Sequence, residues 1–153
     1  MRAYYIPAAA GVALIVSAFV PWMYVGEVSL GGVPETAGLW ILALGGLAVA
    51  LAGLSIWTRK NSRHPLLLVG LSAFAIMFLG YQWMSRTVRD AAWAQAQAQA
   101  IVNDTPAGSA PSPAVGLGIY LGTVAATVLV LFGLTIVVKR VPSAYAVPED
   151  DDI

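Results

Sequence analysis

The chain has 153 residues, a formal net charge of zero and no cysteine. Hydrophobic residues make up 59% of it and charged residues 10%, against about 45–50% and about 25% in a soluble domain. Zero net charge gives no electrostatic footprint for nucleic acid. The absence of cysteine excludes disulfide exchange, thiolate catalysis and Cys-held metal or cluster sites.

Four apolar stretches without a charged residue organise the sequence: Ala3–Tyr24, Leu39–Thr58, Pro65–Met84 and Val115–Val138. A helix of about 20 residues crosses a hydrocarbon core about 30 Å thick, so each stretch predicts a membrane-spanning helix. In the first, Arg2 and Val16-Ser17-Ala18 would suit a signal peptide. The apolar run continues past Ala18 into Trp22 and Tyr24, so it reads as a retained span. Pro7 falls in its first turns, where a missing N–H costs least, and Pro21 kinks or ends it. The segment Gly26–Pro34 is rich in turn residues, and span two carries Gly45, Gly46 and Gly53. Pro65 opens span three after the polar loop that holds Arg59, Lys60 and Arg63.

Beyond span three, Thr87–Val102 contains alanine, glutamine and arginine and no helix breaker. The Ala-Gln alternation has the period of a strand, but both residues are poor strand formers and good helix formers. Span three therefore predicts one helix continuing to about Val102, protruding roughly 25 Å from the membrane. Asn103-Asp104-Thr105-Pro106 ends it, and a Gly/Ser/Pro linker, Ala107–Pro113, leads to span four. The tail Val141–Ile153 ends in Glu149-Asp150-Asp151-Asp152. By composition it is a solvated end, and an ordered tail of this kind would need a partner. No internal repeat is evident, which leaves an inverted-repeat transporter unsupported.

Positive charge predicts the orientation. Arg2, Arg59, Lys60, Arg63, Lys139 and Arg140 fall on one side of a four-span layout, and only Arg86 and Arg89 on the other. The positive-inside rule puts both termini and the 59–64 loop in the cytoplasm; the expected location is a bacterial plasma membrane. Trp22, Trp40, Tyr81, Trp83 and Tyr120 would then lie near the outer interface, and Tyr4, Tyr5 and Trp57 near the inner one. The expected fold is an all-α integral membrane four-helix bundle. It forms one domain over 1–153, N-in and C-in, with span three extended as a helix outside the membrane over about 85–102.

No Asp, Glu, Lys, Arg or His lies within any span. Ion-coupled carriers need an ionisable group at membrane depth, and membrane haem needs axial ligands. His64, the one histidine, reads as a solvated loop residue, and Met77 as packing. Gly118-Ile119-Tyr120-Leu121-Gly122 is a GxxxG pattern, and Ala13 and Ser17 form a small-xxx-small pair. Such spacing lets helix backbones approach closely, either within the bundle or against a partner helix. Ser17, Ser55, Ser72, Thr123, Thr127 and Thr135 are expected to bond their own helix carbonyls. Arg86, Arg89 and Asp90 face Glu27 and Glu35 in the layout, and salt bridges between them would orient the protruding helix. Trp93 has two readings: cover by the chain's own loops, or an anchor in a protein interface.

Pro21-Trp22, the basic Arg59–Arg63 loop, the long connection before span four and the short tail Pro142-Ser143-Ala144-Tyr145 give a layout that resembles the tryptophan-associated transmembrane proteins of actinobacteria. Those proteins have four spans, a Pro-Trp near the outer end of the first, and a tail with Met-Ser before Arg-Tyr. That tail signature is missing here. The resemblance implies four spans and a membrane location; the family has no settled biochemical role.

The function expected is that of a non-catalytic subunit packing against a larger bacterial membrane complex, with energy-transducing assemblies among suitable hosts. Its partners would be membrane lipids and other integral membrane subunits. Nucleic acid, a soluble substrate and a cofactor are not expected, and a bound lipid is compatible. Trp93, Gly118, Gly122, Arg86 and Arg89 are the interface candidates, with no catalytic, cofactor or metal residue. The alternative is a stand-alone binder of a lipid, pigment or quinone between helices, with Phe74, Phe78 and Tyr81 lining the groove.

Overall fold

The computed structural model describes residues 4–25, 28–58, 62–104 and 112–138. Four helices dominate: α1 Tyr5–Phe19, α2 Thr36–Thr58, α3 Arg63–Asn103 and α4 Leu117–Val138. Three short strands accompany them: β1 Pro21–Val25, β2 Val28–Gly31 and β3 Ala114–Val115. The all-α expectation is therefore corrected, because a small antiparallel sheet closes one end of the bundle. The strands lie in the order β2-β1-β3.

Helix α1 departs most from the sequence reading. It has 15 residues, about 22 Å of rise, and Val20–Tyr24 is not helical as expected. Val20 is extended (φ −80°, ψ 145°). A residue before proline is pushed out of the α region, and Pro21 has no N–H to continue the ladder. The chain leaves the helix there and enters β1, whose first residue is the proline, where a strand tolerates it. Of the four helices, α2, α3 and α4 are long and apolar enough to cross a membrane, and α1 is a shorter apolar helix.

Helix α3 runs as one piece for 41 residues, about 60 Å. Pro65 sits in its first turn, where backbone donors have no helical partner. Its far end is closed by Asp104 in the left-handed region (φ 49°, ψ 40°), whose N–H bonds the carbonyl of Ala100. Aspartate tolerates that conformation better than most residues.

The helices alternate in direction, and glycines mark their closest approaches. A methyl added at Gly11 would come within 2.9 Å of Val49, and one at Gly45 within 2.8 Å of Ile15. On α3 and α4, Gly70 lies against Leu129 and Val130, Gly133 against Leu67, and Gly122 against Met77 and Ser17. The core is correspondingly small-residue rich, with Ala18, Ala48, Ala52, Ala73 and Ala126 buried between Leu14, Ile41, Leu66, Met77 and Leu129. In lipid, helices gain nothing from hydrophobic transfer against one another, and such close backbone approach is what packing then relies on.

At the end opposite the sheet, Tyr4 meets Phe132 edge-on with ring centroids 5.3 Å apart. The Tyr4 hydroxyl accepts a bond from the Ser62 N–H at 3.3 Å. The Arg63 guanidinium lies 5.7 Å from the Phe132 centroid. Tyr4, expected near the inner interface, lies at this end of the bundle with its side chain buried, while Tyr5 and Trp57 are exposed.

Candidate functional site

Two features of the sheet end matter: a buried tryptophan that fixes it and the protruding half of α3 that it supports. Trp22, expected near the outer interface, lies at the sheet end and is fully buried within the chain. The register of β1 against β2 slips between Pro21 and Met23, which places Trp22 at the irregularity, and such bulges re-aim side chains. The indole occupies space left by three glycines. A methyl at Gly32, Gly118 or Gly80 would lie 2.5, 2.6 or 3.1 Å from its ring atoms.

The indole N–H donates to the Ser17 carbonyl at 2.8 Å. In a continuing helix that carbonyl would accept from residue 21, but residue 21 is proline. Trp22 thus supplies the donor that its neighbour lacks. The Ala18 carbonyl accepts from the Val33 N–H at 2.9 Å, and the Trp22 carbonyl from the Gly116 N–H at 2.7 Å. The end of α1 is thereby capped by a side chain and by the segment after β2. The missed signal was Pro-Trp together with glycines on three other segments.

Past about Met84, α3 stands beyond the other helices, flanked by two open clefts. One, of about 830 Å³, is lined by Met23, Tyr81, Ser85, Arg89, Asp90, Trp93, Ser112 and Pro113. The other, of about 500 Å³, lies between Val25 and Leu30 of the hairpin and Val88, Ala92, Gln95 and Gln99 of the helix. Trp93 is 59% exposed, Ile101 79% and Val102 82%; these are large apolar groups on a helix outside the bundle.

Of the interface candidates, Trp93 and Arg89 share the larger cleft. Arg86 lines a separate depression with Phe78, Leu79, Gln82 and Trp83. Gly118 and Gly122 are buried, the first against the Trp22 indole and the second against Met77 and Ser17, so their spacing serves packing within the chain. Among the described residues, Arg86, Arg89, Asp90 and Glu35 form no ion pair; Glu27 lies outside the described residues, as do the 105–111 linker and the acidic tail. His64 is exposed.

Ser17, Thr127 and Thr135 donate to helix carbonyls three or four residues back. Ser55 does not: it is buried and its hydroxyl has no partner among the described residues. The groove at Phe74, Phe78 and Tyr81 also takes in Met77, Ile119 and Thr123 and measures about 110 Å³, below the roughly 300–1,000 Å³ of ordinary ligand pockets. Among the described residues no group of three or more His, Asp or Glu could hold a metal.

The fold and surface define a small helical bundle with three helices apolar and long enough to cross a membrane, capped by a short sheet and carrying a long helical projection. Comparison with known protein families, with characterised proteins and with solved structures gives no match.

Proposed function

We propose that the chain is a non-catalytic subunit of a larger bacterial membrane complex, held in the plasma membrane with both termini in the cytoplasm. Its sheet end and the projecting half of α3 then face outward and dock on a partner subunit. The observation that carries this reading is the exposure of Trp93, Ile101 and Val102 on a helix that extends beyond the bundle. Large exposed apolar groups outside a membrane mark contact surfaces, and tryptophan is enriched among the anchors of such surfaces. The open groove beside Val88, Ala92, Gln95 and Gln99 offers a second face for a partner element.

Sidedness in this reading rests on the basic residues. Arg63 lies at the end opposite the sheet, by Phe132, whereas Arg86 and Arg89 lie on α3 toward the sheet end. The layout likeness to the tryptophan-associated actinobacterial proteins points the same way. The test is co-purification from native membranes. Trp93→Ala combined with Ile101→Ala should release the chain from its partners while leaving it folded and inserted. Undiminished co-purification of the double variant would refute docking through this helix.

A further inference from the structure

Apart from protein docking, the larger cleft has the chemistry of a lipid headgroup site. Phe74, Phe78, Tyr81, Ser85, Arg89 and Trp93 succeed one another along α3 at three- or four-residue steps, and such residues share one helix face. Tyr81 belongs both to the small groove between α3 and α4 and to the cleft above it, so the two depressions meet there. One side of α3 therefore carries a shallow apolar groove next to a polar cleft.

The levels match a bilayer. If α3 crosses hydrocarbon from Pro65 to about Met84, Arg89 stands about 6–8 Å beyond the boundary. The headgroup layer is itself about 5–8 Å thick on each face. The cleft is lined by one cation and one anion, Arg89 and Asp90, and by the hydroxyl-bearing Ser85 and Ser112. Neither charge is taken up in an ion pair among the described residues. One cation and one anion at headgroup depth complement a zwitterion better than an anion alone.

We infer that this cleft binds one phospholipid with a zwitterionic phosphoethanolamine headgroup. Arg89 takes the phosphate, as guanidinium groups do with two parallel N–H donors. Asp90 accepts from the primary ammonium. Trp93 covers the headgroup from above, and an acyl chain lies along the exposed outer surface of Tyr81, Phe78 and Phe74, outside the small α3–α4 groove. The inference does not depend on the protein being a subunit.

The test uses the full chain in mild detergent, titrated with phosphatidylethanolamine, phosphatidylcholine or phosphatidylglycerol and read by native mass spectrometry. Phosphatidylethanolamine should bind tightest. Arg89→Gln should weaken all three lipids by about tenfold, the loss expected for one charge-assisted contact. Asp90→Asn should bring phosphatidylethanolamine down to the level of phosphatidylcholine, whose ammonium has no N–H. Arg86→Gln, outside the cleft, should change nothing. Arg89 and Asp90 are exposed, so these variants should keep wild-type helicity by circular dichroism. Equal retention of phosphatidylethanolamine by wild type and Arg89→Gln overturns the site. Equal or tighter binding of phosphatidylglycerol by wild type, or displacement by inorganic phosphate at matched concentration, overturns the zwitterion assignment in favour of an anion site. A cleft that takes up no lipid and is protected only when a second protein co-purifies belongs to that protein, and the inference fails.

Discussion

Replacing Trp22 with alanine tests the packing logic of the sheet end. The side chain is fully buried, and Gly32, Gly80 and Gly118 are shaped around its ring. Glycines have no side chains that could move in to fill the space. Removing a large buried aromatic ring costs about 3–5 kcal/mol when the site cannot collapse. The lost N–H would also leave the Ser17 carbonyl without the donor that Pro21 cannot supply, and one such bond contributes about 1 kcal/mol. Trp22→Phe separates the two effects. It keeps most of the apolar volume and loses the donor, so about 1–2 kcal/mol is expected. The assay is reversible unfolding in mixed micelles of rising dodecyl sulfate fraction, followed by far-ultraviolet circular dichroism. A loss below about 1 kcal/mol for Trp22→Ala would refute the account of this residue, as would an indole quenched by aqueous iodide in a variant with Trp22 as its sole tryptophan.

Three further outcomes follow from the same structure. Gly118→Ala should destabilise the bundle by about 1–3 kcal/mol, because the added methyl meets the Val20 carbonyl oxygen as well as the Trp22 ring and overpacking carries that cost; Trp22→Phe should relieve only the ring contact, so most of the loss should persist in the double variant in chemical denaturation. Gln95→Pro should unwind the projecting half of α3 at about 3 kcal/mol while leaving insertion intact; amide exchange over Thr87–Val102, protected in wild type, should then become fast. Ser55→Ala should be neutral or stabilising by up to about 1 kcal/mol, since it removes a buried hydroxyl that has no partner among the described residues; a clear fall in midpoint would show that the hydroxyl is bonded.

The elements that periodicity and composition govern were legible in the sequence. Helix α3 ends at Asn103, within a residue of the expected Val102, because alanine, glutamine and arginine favour a helix and nothing interrupts them before Asn103-Asp104. The cores of α2 and α4 also fall where uncharged runs placed them. What stayed hidden depends on tertiary contact. Span one looked like a helix to Tyr24, because an apolar run does not reveal that the residues after Pro21 pair with β2 and β3. Trp22 and Tyr4 read as belt residues near span ends, a reading that does not show that they are buried within the chain. Their burial depends on glycines and on Phe132, all distant in sequence. The candidate surface was partly visible: Trp93 and Arg89 were singled out, but the cleft they share also needs Tyr81, Ser85, Ser112 and Pro113 from two segments. The Gly118 and Gly122 pair showed that a close approach exists but not which helix makes it.

The proposed role, contact inside a membrane assembly, can be checked by native mass spectrometry of the particle extracted from its own membranes in mild detergent. The expected result is an assembly much heavier than one chain and of fixed composition, which loses this chain when Trp93 and Ile101 are both replaced by alanine. A single chain or a simple homo-oligomer that retains a catalytic activity on a small substrate would contradict it.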